Sequence, residues 1–389
     1  MTIKIPEYLS AQRKRRGLAN SERVLRVHRS AIDLSSNDYL GIARKLASPD
    51  VVSRVLEEVR LKEIGATGSR LVSGNFEAHE ELEGFLASYH QAESALLFGS
   101  GYEANIGLLS AIAGRADTIL FDEFIHASMR DGIRLSYAKS LSFRHNDLED
   151  LRKKAALARG DIFIAIESLY SMDGDLAPLV DLCQIANELG AFLIVDEAHS
   201  NGVYGPKGAG LVSEFGLHDR VFARVHTFGK ALGYKGACVL GSHELRQHLI
   251  NHARSFVYAT APDLVTLKFI REAYKLMLNA DEERTRLFNL IDIARDRRTT
   301  YSSLDFLDSN SPIQGVIVKG NEFALTAERL LIDSGLFARA IRAPTVPVGS
   351  ERIRVCLHSF NTADELADAF SRLDELVTSR TMVLGGACG

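Results

Sequence analysis

Lys230 stands in an unusual setting for a lysine. The stretch RVHTFGKALG, Arg224 to Gly233, places its amine between Gly229 and Ala231, with Thr227 three residues before it. An amine among small residues either anchors a phosphate or does covalent chemistry. A second chemical group lies upstream. In FLIVDEAHSNG, four apolar residues lead to Asp196, with Glu197 beside it and His199 three on. An acid that closes a buried strand is costly unless it meets a cation or a metal. A magnesium-binding acid of a nucleotide triphosphatase would need the loop G-x-x-x-x-G-K-[ST]. Here Arg224 occupies the first glycine position before Gly229-Lys230, and Ala231 follows the lysine, so that reading fails. No G-x-G-x-x-G follows the first strands, which argues against a dinucleotide fold.

Joining Asp196 to Lys230 gives a different chemistry. Pyridoxal phosphate (PLP) needs a lysine for a Schiff base, a carboxylate for its ring nitrogen and a cradle for its phosphate. ALLFGSGYEAN reads as a strand, a glycine turn and a helix start, so Gly101 and Tyr102 can offer backbone N–H groups to a phosphate. A plain glycine turn is the competing reading. Thr227 can bond the phosphate from the other side. In DTILFDEFIHAS, His126 falls near a helix start and is either structural or a ring-stacking group. In IESLYSMDGDLAPL, Ser171 is a turn hydroxyl or a ligand contact, and with His199 it can reach the ring 3-oxygen.

These residues need elements to position them. SALLFGS, DTILFD, DIFIAIE, AFLIVDE and VFARVHTF read as short strands bounded by Gly, Asp or Ser. ANIGLLSAIAG, DLEDLRKKAALA and PLVDLCQIANELG read as the helices between them, the last with a glycine stop at Gly190. Continuously apolar strands alternating with helices imply an α/β protein with a mainly parallel sheet covered on both faces. Its ligand belongs at the carboxyl ends of the strands. From about residue 280 a long charged helix, two further helices and several strand-like runs predict a small C-terminal α/β domain. The expected division is a helical arm over 1–40, a large domain over 41–280 and the small domain over 281–389.

The chain has 389 residues, 46% hydrophobic and 25% charged, with a net charge of −4, which gives no general attraction to nucleic acid or to an anionic membrane. The basic run Arg13-Lys14-Arg15-Arg16 reads as a solvated helix face. The start of the sequence lacks an apolar signal core, and no stretch approaches the roughly 20 apolar residues of a membrane span. Cys183, Cys238, Cys356 and Cys388 are scattered, which suits free thiols in a reducing cytoplasm rather than a zinc site.

The ordered set SSNDYLG, GATGSRLVSGNFEAHEELE, FGSGYEAN, SMDGDLAPL, DEAHSNGVYG, HTFGKALG and APTVPVGSERIRVCL resembles the α-oxoamine synthases, a family of fold-type-I PLP enzymes. The likeness covers nearly the whole chain. It implies a seven-stranded, aspartate aminotransferase-like large domain, a homodimer and active sites at the subunit interface. GSRLVSGN and RAPTVPVGSERIR point to members that condense L-alanine with a pimeloyl thioester, carried by CoA or an acyl carrier protein, with loss of CO2. The alternative is a relative that uses another amino acid or acyl chain. The resemblance makes Lys230 the Schiff-base lysine, Asp196 the ring-nitrogen partner and His126 the stacking residue. Gly101, Tyr102, Ser171, His199 and Thr227 become cofactor contacts, and Thr260 reaches the neighbouring subunit's phosphate. On the substrate side, Arg23 of the arm meets the acyl group, Thr345 contacts substrate and Arg354 partners the amino-acid carboxylate. His226 has no assigned chemistry and reads as local packing.

Overall fold

A computed structural model describes residues 5–25, 32–59 and 64–385. In chain order the strands are β1 (Ile32–Asp33), β2 (Ser94–Phe98), β3 (Thr118–Asp122), β4 (Lys139–Phe143), β5 (Ile162–Glu167), β6 (Phe192–Asp196) and β7 (Ala223–Thr227). They continue with β8 (Ala237–Gly241), β9 (Asp305–Phe306), β10 (Ile313–Ile317), β11 (Leu336–Phe337), β12 (Arg339–Ile341) and β13 (Arg352–Cys356). The chain divides into two compact units. One gathers Met1–Ser36, Met172–Asp175 and Thr285–Gly389, and the other holds Asn37–Ser171 and Leu176–Arg284.

The larger unit is built on a seven-stranded sheet of order β2-β8-β7-β6-β5-β3-β4. Strands β4, β3, β5, β6 and β7 run parallel, while β8 is antiparallel to both β7 and β2. All five residues of β2 are buried, as are five of the six in β5 and four of the five in β6. That burial on both faces is why these strands read as unbroken apolar runs. Strand β4, KSLSF, lies at the sheet edge and alternates in burial, so its weaker pattern escaped the sequence reading. The connecting helices cover the faces, including Gly101–Ala111, Ala127–Leu135 and Leu179–Leu189. The last of these stops at Gly190, whose φ of 59° suits a residue without Cβ.

The smaller unit holds a four-stranded antiparallel sheet of order β12-β13-β10-β9 and a two-stranded parallel pair, β1 with β11. Helices Asp281–Arg297, Asn321–Asp333 and Ala363–Gly385 occupy the predicted helical segments. The run FARAIRAP splits into two short strands around Ala338. Its N-terminal segment starts with the helix Glu7–Leu18, which buries no residue. Cys183, Cys238 and Cys356 are buried free thiols, and Cys388 lies outside the described residues. Among the described residues, no helix is long and apolar enough to cross a membrane.

Candidate active site

The carboxyl ends of four neighbouring parallel strands and of β2 open on one side of the large sheet, where an α/β sheet presents its ligand site. A cavity of about 340 Å³ lies there, walled by Gly101, Tyr102, His126, Asp196, Thr227 and Lys230 among others. Six of the sequence-predicted residues are thus brought together. Each owes its place to a local element. Asp196 is the last residue of β6 and Thr227 the last of β7. Lys230 sits on the loop after β7. That loop is closed at its base because Phe228 N–H donates to the Gly236 carbonyl and Tyr234 N–H donates to the Phe228 carbonyl.

Gly101 begins the helix Gly101–Ala111, capped by Ser100, whose hydroxyl accepts from the Glu103 N–H at 3.2 Å. The first-turn N–H groups of a helix have no acceptor inside it and carry its positive dipole end. A Cβ at Gly101 would stand 2.4 Å from the Thr227 methyl, so this close approach requires glycine. Beside it, the Thr227 hydroxyl is buried without a hydrogen-bond partner. An orphaned hydroxyl against a helix N-terminus suits an anion such as a phosphate.

One turn further along the same helix is Asn105, which the sequence reading missed. Its amide donates to Asp196 Oδ2 at 2.7 Å and to the Ser128 hydroxyl at 3.0 Å. The Ala198 N–H donates to the other Asp196 oxygen at 2.9 Å. Ser128, already accepting from Asn105, directs its own O–H to His126 Nδ1 at 2.7 Å, and its backbone N–H donates to the same nitrogen at 3.2 Å. Nδ1 therefore accepts, and the ring proton belongs on Nε2. Burial, and then the charge of Lys230, lower the His126 pKa below the ordinary 6.5, against the pull of Asp196 and Asp131.

Glu167 was also missed. It closes β5 as Asp196 closes β6, and the two are register partners. It lines the cavity, is 3% exposed and leaves Oε1 without a hydrogen-bond partner. Burial first, and then the Asp196 charge, raise its pKa to about 8, so it holds a proton at neutral pH. The signal was available in DIFIAIE, an acid ending an apolar strand, the same pattern that singled out Asp196.

Other predicted residues lie elsewhere. His199 is buried after β6, its Nδ1 2.8 Å from the hydroxyl of Tyr39. Tyr39 in turn donates to Asn37, which does line the cavity. Ser171 is buried in the turn region after β5 and Thr260 is exposed, and neither is in the cavity wall. Arg23, Thr345 and Arg354 line a separate cavity, also about 340 Å³, within the smaller unit. There Arg23 Nη2 donates to the Thr345 hydroxyl at 3.2 Å. His226, left to packing by the sequence, has Nε2 3.1 Å from the Glu197 carboxylate, with both side chains fully buried.

The donor set suits PLP. It offers a lysine amine, a carboxylate held by two N–H donors, a helix N-terminus with an orphaned hydroxyl for a phosphate, and an imidazole of fixed tautomer. Fold and site together define a PLP-dependent enzyme of the aminotransferase-like α/β class. The family model for aminotransferase class I and II matches residues 29–370. The chain is 41% identical over 362 residues to the 8-amino-7-oxononanoate synthase of Emericella nidulans, covering 87% of each. It superposes on serine palmitoyltransferase from S. paucimobilis, a structure with bound PLP, with TM-score 0.86 at 26% identity over 96% of this chain and 97% of that one. The 8-amino-7-oxononanoate synthase of Francisella tularensis gives TM-score 0.77 at 28% identity, covering 90% of this chain and 99% of that one. The chain belongs to the 8-amino-7-oxononanoate synthase family.

Proposed function

We propose that this protein condenses L-alanine with a pimeloyl thioester to give 8-amino-7-oxononanoate, CO2 and the free thiol, in biotin synthesis, with PLP as cofactor. The observation that carries the reading is one cavity that holds Lys230, Asp196 and the orphaned Thr227 hydroxyl beside the Gly101 helix start. The backbone likeness to a serine palmitoyltransferase belongs to the shared fold, whereas the higher sequence identity lies with the 8-amino-7-oxononanoate synthase.

When bound, PLP supplies an electron sink that stabilises a carbanion at the amino-acid α-carbon. The chain's residues do the rest. Lys230 would hold the cofactor through its amine, and Nζ would take the substrate α-proton and later return it. Asp196, kept in place by Asn105 and Ala198, would hold the ring nitrogen. Gly101, Tyr102 and Thr227 hold the phosphate. Ser171 and His199 serve the ring 3-oxygen, and Thr260 serves the phosphate of a neighbouring subunit. His126 would stack on the ring, with Nε2–H available to a substrate oxygen. Arg354 takes the alanine carboxylate, while Arg23 and Thr345 serve the acyl substrate. The working form is a cytoplasmic homodimer, and the acyl donor is pimeloyl-CoA or a pimeloyl carrier protein.

The test is direct. Purified protein with PLP, L-alanine and pimeloyl-CoA should release free CoA and a product with the mass of 8-amino-7-oxononanoate. Thiol release with glycine or serine but not with alanine would overturn the reading in favour of another α-oxoamine synthase.

A further inference from the structure

The N-terminal segment presents a physical problem. Its helix Glu7–Leu18 buries nothing, and among the described residues of the segment up to Leu25, Ser21 alone is buried. Apolar burial therefore cannot hold it. Yet its Arg23 meets Thr345 at 3.2 Å across 322 residues of sequence. Something else must fix its path.

A polar grip does so. Arg342 donates to the backbone carbonyls of Asn20 and Glu22, the latter at 3.1 Å, one on each side of the buried Ser21. The Asn321 amide donates to the Ala19 carbonyl at 2.7 Å. Asn321 is itself locked to the Arg342 turn, because the Ala343 N–H donates to its Oδ1 at 3.0 Å. The same turn carries Thr345, whose N–H donates to the Arg342 carbonyl at 2.9 Å. One turn thus provides both the grip on the arm and the partner of Arg23. The grip ends at Glu22, the residue just before Arg23. The carbonyls of Ala19, Asn20 and Glu22 that it holds belong to the backbone, so these contacts fix the path of the chain.

The cavity beside this turn is cationic. Arg23, Arg339, Arg342 and Arg354 line it, and Arg339 is already paired with Glu328 at 3.2 Å. We propose that Arg342, with Asn321, is a positioning residue that clamps the arm so that Arg23 is set to receive the terminal carboxylate of the acyl thioester. The clamp thereby selects dicarboxylic over monocarboxylic chains. This inference rests on the proposed condensation reaction.

The test compares Arg342→Ala, Arg342→Lys and Asn321→Ala in the full-length, PLP-loaded enzyme. Two acyl donors of equal length are used, pimeloyl-CoA and heptanoyl-CoA, which differ only in the terminal carboxylate. A misplaced charge-assisted hydrogen bond should raise KM for pimeloyl-CoA roughly tenfold in Arg342→Ala, with KM for heptanoyl-CoA moving less than about twofold. Arg342→Lys, which can keep one of the two carbonyl contacts, should recover part of the difference. Trypsin supplies a readout independent of turnover, since Arg13, Lys14, Arg15 and Arg16 lie on the arm. Cleavage there should quicken in Arg342→Ala and Asn321→Ala. Equal KM changes for both thioesters would overturn the selective role, and unchanged tryptic cleavage would overturn the clamp. A wild-type enzyme that fails to use pimeloyl-CoA would strike at the proposed reaction, while the cleavage assay would still decide the clamp.

Discussion

Asn105 donates to Asp196 at 2.7 Å from the helix whose first residue, Gly101, walls the same cavity. The two positions are four residues apart, about 6 Å along a helix. A single rigid element therefore carries both the helix start at the cavity and the amide that holds the Asp196 carboxylate. The Asn105 amide also reaches Ser128, and Ser128 reaches His126, so one chain of hydrogen bonds joins the Asp196 carboxylate to the imidazole.

Asn105→Ala removes this link. It should cost about 1.5–3 kcal/mol of stability, the worth of a hydrogen bond to a charged group. Urea unfolding measures that loss. Nitrogen NMR of the His126 ring should show the Nε2-protonated form retained, because the Ser128 backbone N–H still donates to Nδ1. Full stability in the variant would mean that Asn105 is a bystander.

Glu167 predicts a pH dependence. Its folded pKa, about 8, lies above the ordinary 4.5, so between these values the folded state holds a proton that the unfolded state has released. Stability must then fall as pH rises from about 4.5 through 8. Glu167→Gln keeps the shape and removes the titration. The melting temperature of the cofactor-free variant should gain on the wild type steadily from pH 5 to pH 9. A constant difference across that range would show that Glu167 is ionised throughout.

Glu197 anchors the opposite face of the Asp196 strand end. Its Oε1 accepts from the Val212 N–H and the Ser200 hydroxyl, both at 3.0 Å, and its Oε2 lies 3.1 Å from His226. Burial raises its pKa, but the neighbouring His226 and Arg224 and the Val212 N–H outweigh that and hold it below the usual value. Glu197→Ala strands all these partners in a dry interior and should destabilise the protein by about 3–5 kcal/mol. Chemical denaturation tests this, and a change under about 1 kcal/mol would show that the pair contributes little.

The sequence made much of this legible, for physical reasons. Buried parallel strands are apolar runs ended by the residue they present to the cavity, so Asp196 could be read directly, with Thr227 and Lys230 at and just after the end of the next strand. Glu167 had the same signature but was overshadowed by the neighbouring turn containing Ser171. Asn105 carries no signal of its own, since an asparagine inside a helix gains meaning only from what faces it. Strand β4 sits at the edge, where one face needs no apolar residues. The Arg342 grip joins residues 320 or more positions apart, beyond any local pattern.

The central claim is that Lys230 is the amine that holds the cofactor. Lys235 lines the same cavity, so the claim can fail in a specific way. Borohydride reduction of the PLP-loaded protein fixes the cofactor to whichever amine holds it, and digestion with mass spectrometry locates the label. The account predicts the adduct on Lys230, with label and turnover both lost in Lys230→Ala. An adduct on Lys235, or undiminished condensation by Lys230→Ala, would contradict it.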